Sequence, residues 1–140
     1  MNNDAHAMIE AIQKNDLDAA VQLFKQSVEQ SVLENNSADL AELAETMHAL
    51  GFLSEAKEAY GALNYLAPQI QEWNIALAEI AIDEDDYDQA LDILLTIDKE
   101  SDVYPQALLT MADAYQVQGL YEVSEKKIFE AMALLPDEPI

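Results

Sequence analysis

Few residues in this 140-residue chain have the type and spacing to do chemistry. The densest cluster is acidic: Asp83, Glu84, Asp85, Asp86 and Asp88. A calcium loop of the EF-hand type needs a glycine at its sixth position and a bidentate glutamate at its twelfth. Counting from Asp83, those places hold Asp88 and Leu94. The run therefore reads as a solvated turn ahead of a helix, where negative charge favours the helix dipole. Glu45 and His48 have the three-residue step of half a di-iron carboxylate site, but such a site needs a second copy of the pair and two more glutamates. His6 and Glu10 are four apart and read as a helix-surface pair. With two histidines and no cysteine, the chain has no thiolate ligand, no disulfide and no cysteine nucleophile. No phosphate-cradling glycine loop or nucleophile elbow occurs. The expectation is no enzyme, no cofactor and no metal site.

Charge narrows the partners. Twenty-eight Asp and Glu face six Lys, giving a formal net charge of −22. Phosphate binding draws on clustered Lys and Arg, so nucleic acid and anionic membrane surfaces are disfavoured. Tyr60, Tyr87, Tyr115 and Tyr121 could imitate a base-stacking platform, but the charge is of the wrong sign, and they are expected to pack in the core. The acidic surface keeps the chain solvated and can steer a basic partner. No apolar run approaches the length of a membrane span and the first residues are polar, so a cytoplasmic location is expected, without signal peptide or anchor.

The elements that carry these residues are helical and repeated. Three Gly and four Pro in a chain that is 51% hydrophobic and rich in Ala, Leu, Glu and Gln favour helix. Gly51 and Gly119 are 68 residues apart, as are Pro68 and Pro136, and Asp85 stands midway between the glycines. Beyond each of these turn points come a large residue (Leu53, Tyr87, Tyr121), a small one (Ala56, Ala90, Ser124) and a bulky one (Tyr60, Leu94, Ile128). Small and bulky residues four apart on one helix face let a neighbouring helix approach and interlock. Upstream, Leu40, Leu43, Ala44 and Met47 recur 34 residues later as Asn74, Leu77, Ala78 and Ala81, and again as Leu108, Met111, Ala112 and Tyr115. Trp73 is expected to fill the apolar place that Asn74 leaves, or else to stand partly exposed as a binding anchor.

A weaker first copy runs through Ala7, Met8, Ala11, Leu17, Ala20 and Phe24, with its turn at Asn15-Asp16. Its offset of 36 places two extra residues in the loop near Asn35-Asn36-Ser37. The predicted helices are 4–14, 17–33, 38–50, 53–66, 71–83, 86–98, 105–118 and 121–135. Ser37 and Ser54 are expected at helix starts or in first turns, Pro105 in a first turn, and Pro68 and Pro136 just past helix ends. The whole chain, 1–140, reads as one domain of four repeats, about 1–34, 37–70, 71–104 and 105–138.

A 34-residue step, paired helices, the small-then-bulky pattern and a closing proline together resemble the tetratricopeptide repeat. The fourth copy, from Leu108 through Met111, Ala112, Tyr115, Gly119, Tyr121, Ser124, Ile128 and Ala131 to Pro136, is the nearest match. The stretch from Ala107 to Ile140 is similar to repeats of longer cytoplasmic proteins of Gram-positive bacteria. The resemblance implies a right-handed all-α solenoid whose first helices line a concave groove that receives a peptide or helix of another protein.

On that face, helical stepping away from the buried stripes sets Ala38, Ala41, Glu42, Glu45, His48 and Ala49 in the second repeat. It sets Glu72, Ile75, Ala76, Glu79, Ile82 and Asp83 in the third, with Trp73 beside them. In the fourth it sets Gln106, Leu109, Thr110, Asp113, Gln116 and Val117. None is Lys or Arg, so the clamp with which some relatives hold a chaperone's terminal carboxylate is not expected. An apolar segment with basic margins suits the surface better. The alternative role is assembly: Ile128, Phe129, Met132 and Leu135 are too apolar for a fully solvated last helix, and point to self-association or to further repeats.

Overall fold

Among the described residues, five left-handed ones punctuate the chain: Asn15, Asn35 and Asp85 with φ of 60°, 53° and 63°, and Gly51 and Gly119 with φ of 84° and 81°. Each ends a helix in the same way. The residue after it donates its N–H back to a carbonyl five residues earlier, as in Asp16 to Ala11 (2.8 Å), Phe52 to Met47 (2.9 Å) and Leu120 to Tyr115 (2.9 Å). The left-handed residue itself bonds three back, as in Gly51 to His48 (3.1 Å). This is the Schellman arrangement, which satisfies the last free carbonyls of a helix. The same following residue is also the N-cap of the next helix, so each turn closes one helix and opens another in three residues.

The computed structural model describes residues 3–135. Among them are eight helices and no strand: α1 (Asn3–Gln13), α2 (Leu17–Leu33), α3 (Ser37–Ala49), α4 (Leu53–Leu66), α5 (Glu72–Asp83), α6 (Tyr87–Leu94), α7 (Tyr104–Val117) and α8 (Tyr121–Leu134). Pro136 and the stretch to Ile140, expected to end the last repeat, lie outside the described residues.

Ser37 stands at a helix start, as expected, and two other expectations about boundaries change. The α3 cap is Asn36, whose side chain accepts from the Asp39 N–H at 3.1 Å, and Ser37 follows it as the first helical residue. The two extra residues of the first repeat are not in a loop. The added length is helical: α2 has 17 residues against 14 for α4 and α8, and the link from α2 to α3 is another tight turn, residues 34–36. The second change is that α6 stops at Leu94 instead of 98. Its end is drawn off by side chains: the Thr96 hydroxyl donates to the Ile93 carbonyl (2.6 Å), the Asp98 carboxylate accepts from Glu100 N–H (2.9 Å), and Asp98 N–H donates to Gln71 Oε1 (2.9 Å). Ser, Thr and Asp compete with helical hydrogen bonding in this way.

The chain folds as two compact units divided between Ile70 and Gln71. In the first, α1 pairs with α2 and α3 with α4, and α2 packs against both α3 and α4. Leu40, Ala44, Ala56, Ala59 and Leu63 are fully enclosed. In the second, α5 pairs with α6 and α7 with α8, and α7 packs against both α5 and α6. Its core is built from Ile75, Ala78, Ala90, Leu94, Leu108 and Met111, joined by Ile97 from beyond the end of α6. The repeated small positions are buried as the pattern requires: Ala20, Ala56, Ala90 and Ser124. The last also ties α8 to α7, its hydroxyl donating to the Ala112 carbonyl at 2.8 Å. Tyr121 departs from the core role expected of it. It opens α8 at the surface, 68% exposed.

Candidate interaction surfaces

In the second unit the two first helices lie side by side, and their seam decides which side chains remain available. Ile75, expected on the binding face, is claimed by that seam: it is buried among Ala107, Leu108 and Met111 and offers no surface to a partner. Thr110 is buried too, its hydroxyl returned to the Gln106 carbonyl at 3.0 Å. Ile82 and Leu109 pack against the same core but stay half exposed. On the same two helices, Glu72 and Asp83 of α5 and Asp113 and Gln116 of α7 are exposed, and Glu79 is half-buried. Glu72, Glu79 and Asp83 follow the seven- and four-residue steps that keep side chains on one face of a helix. The exposed charges of α5 and α7 are thus all acidic, with no lysine or arginine on either helix. Trp73 is half-buried next to it in sequence, as is Asn74.

In the first unit the corresponding face is that of α3. Glu45 is exposed, Glu42 and His48 are half-buried, and the His48 ring meets the Tyr60 ring edge-on at 6.5 Å between centroids. Glu45, His48, Ala49 and Tyr60 line an open depression of about 320 Å³. His48 also lies in the last turn of its helix. The imidazole thus has a packing role against Tyr60.

The acidic run spends its carboxylates locally. Asp86 caps α6 by accepting from the Gln89 N–H (3.2 Å), and Asp85 accepts from the Tyr87 hydroxyl (3.0 Å), which raises the Tyr87 pKa above its ordinary value, chiefly through that bond. Among the described residues no three His, Asp or Glu side chains come together as a metal-binding group. None of the described helices is long and apolar enough to cross a membrane.

One surface exceeds what the sequence pattern foresaw. On α8 and its ends, Tyr121, Phe129, Met132, Leu134 and Leu135 are each more than half exposed, while Ile128 is half-buried. Phe129, Met132 and Leu135 were legible as too apolar for solvent; Tyr121 and Leu134 were hidden, the first by its place in the repeat pattern.

The family model for the tetratricopeptide repeat protein 21 ARM repeat matches residues 3–120, and that for YpiA-like tetratricopeptide repeats matches 116–140. The chain belongs to the tetratricopeptide repeat family. The TPR repeat-containing protein YpiA of Bacillus subtilis (strain 168) is 40% identical over 102 residues, which are 73% of this chain and 24% of that protein. The chain thus spans about a quarter of that relative's length. Among solved structures, MamA matches with a TM-score of 0.67 at 20% identity, over 97% of this chain and 76% of that one. A crystal structure of nearly identical TPR-like repeats from Podosopora anserina matches with a TM-score of 0.62 at 18% identity, over 93% and 72%. Both likenesses establish the all-α repeat fold. Tetratricopeptide repeats are in general protein-interaction scaffolds and not catalysts.

Proposed function

We propose that this chain is a cytoplasmic, non-catalytic scaffold that receives an apolar peptide or helix with basic margins on its first-helix faces. What supports this reading is the character of α5 and α7: Ile82 and Leu109 pack on the second unit's core yet are only half-buried, and Glu72, Asp83 and Asp113 on the same helices are exposed, with Glu79 half-buried. An apolar floor supplies affinity through burial, while a margin of one charge sign speeds encounter and fixes orientation. Gln116 and Trp73 extend the face, and Glu42, Glu45 and His48 offer a related acidic surface on α3.

The test is a pull-down from cytosol at low and high salt, comparing wild type with Glu72→Lys/Glu79→Lys/Asp113→Lys once circular dichroism shows equal helicity. A partner captured by wild type, weakened by salt and lost from the variant supports the reading. Capture that ignores both the substitutions and salt refutes it.

The exposed face of α8 favours a second role, docking of another helix pair from further repeats or a second copy. Phe129→Ser/Met132→Ser should then convert any oligomer seen by light scattering to monomer; an unchanged mass would count against self-association.

A further inference from the structure

The first unit contains a feature that the reading above does not use. Between α1, α2, the last turns of α3 and the start of α4 is a cavity of about 190 Å³. Its floor is Met8 and Met47, both almost completely buried, and Ile12 and Phe52 form its walls. At its rim are Leu17 and Val21, 50% and 40% exposed, so the cavity has an accessible lip. Among the described residues, the charged side chain that lines it is Glu55, in the first turn of α4. We propose that this cavity is a separate recognition pocket for an aromatic side chain of a partner polypeptide that carries a Lys or Arg beside it.

Three properties lead to that occupant. Size is the first: an apolar cavity of about 150 Å³ accepts a benzene ring, so this one accommodates a single phenyl group and not a larger cofactor. The floor is the second, because two thioethers make favourable contacts with an aromatic edge and adapt their shape to it. Charge is the third. Glu55 lies on the lining; in the neighbouring α1–α2 turn and first turn of α2 the exposed carboxylates of Asp16 and Asp18 outnumber the exposed Lys14. A ring with an adjacent cation satisfies both the dry floor and the Glu55 carboxylate, whereas an acidic neighbour would be repelled. None of the lining residues belongs to the α3, α5 or α7 faces proposed above, so either site can fail without the other.

The full chain labelled with methyl-13C methionine provides a direct readout, because Met8 and Met47 report on the cavity while Met111 and Met132, in the second unit, serve as internal controls. The probe is N-acetyl-Phe-Lys-amide, compared with N-acetyl-Phe-Glu-amide and N-acetyl-Ala-Lys-amide. Expected are saturable shifts of the Met8 and Met47 methyls alone, with a dissociation constant of about 1 mM. Phe-Glu should bind about fivefold more weakly, and Ala-Lys should cause no saturable shift. Val21→Phe, which fills the lip from its own helix, should weaken Phe-Lys binding at least about tenfold, a loss of about 1.4 kcal/mol. Glu55→Lys should reverse the preference between Phe-Lys and Phe-Glu, and it leaves the apolar packing in place should Val21→Phe disturb the fold. Absence of a saturable shift, equal shifts in the methyls of Met8, Met47, Met111 and Met132, or Phe-Glu binding as well as Phe-Lys would overturn the proposal.

Discussion

The two units are built from the same helix hairpin, yet they join their hairpins differently. In the first, the turn 34–36 links α2 to α3 in three residues, and α2 becomes the helix that touches both members of the next pair. In the second, the connection 95–103 links α6 to α7 in nine, and α7 returns to lie against both α5 and α6. A tight turn holds consecutive helices as antiparallel neighbours, while a longer connection allows a helix to come back beside an earlier one of the same sense. The consequences differ accordingly. The first unit keeps an apolar cavity between its helices; the second closes a seam between first helices whose exposed charges are all acidic.

The sharpest test of this contrast is Ile97, which stands outside any helix but is buried at 4% exposure, anchoring the long connection to the second core. Ile97→Ala should cost about 3 kcal/mol in urea unfolding. An effect under about 0.5 kcal/mol would show that the connection is not held by the core. Next come the left-handed turn positions. A Cβ at Gly51 or Gly119 would meet no atom within 4 Å, so Gly→Ala there isolates the backbone term, expected to destabilise by about 1–2 kcal/mol. Asn35→Gly, by contrast, should be close to neutral, and a large loss there would mean that the side chain rather than the backbone shape governs the α2–α3 turn.

Smaller again are the caps. Asp16, Asn36 and Asp86 each accept a backbone N–H, whereas Phe52 and Leu120 cap with no side-chain bond. The polar caps follow Asn or Asp in the left-handed position and the apolar ones follow Gly. Asn36→Ala and Asp86→Ala should each lose about 1 kcal/mol of stability, and Phe52→Asp should recover part of a cap while losing apolar contact. Last is Ser27, fully buried in α2 with a hydroxyl that has no hydrogen-bond partner. Ser27→Ala should raise stability by up to about 1 kcal/mol; a loss would indicate that the hydroxyl is satisfied in solution.

The paired helices, their turns and the small-to-bulky interlock were legible because each is local. A glycine or an Asx residue at a 34-residue interval marks a left-handed turn by its own conformational preference, and Ala20, Ala56, Ala90 and Ser124 mark close approach by size alone. Asp85 was readable as a turn for the same reason, and Asn35 was less so, since two adjacent asparagines and a serine suggest a loose loop as readily as a tight one. Part of the candidate face was legible as well: Glu72, Asp83, Asp113 and Gln116 are exposed at the positions that helical stepping assigns to it. Ile75 and Thr110 were not, because they lie on the same helical stripe as residues that remain at the surface and differ from them only in what packs alongside.

Sequence by itself determined the all-α repeat, its helix pairs, its acidic surface and the absence of cysteine chemistry, since these depend on residue type and on spacing along one helix. Tertiary structure alone decided where the two extra residues of the first repeat went, why α6 ends early, and which helix in each unit bridges two others. It also decided that Tyr121 opens onto solvent while Met8 and Met47 floor a cavity. Those outcomes turn on the meeting of surfaces distant in sequence, and helical periodicity assigns a side chain to a face without specifying what covers that face.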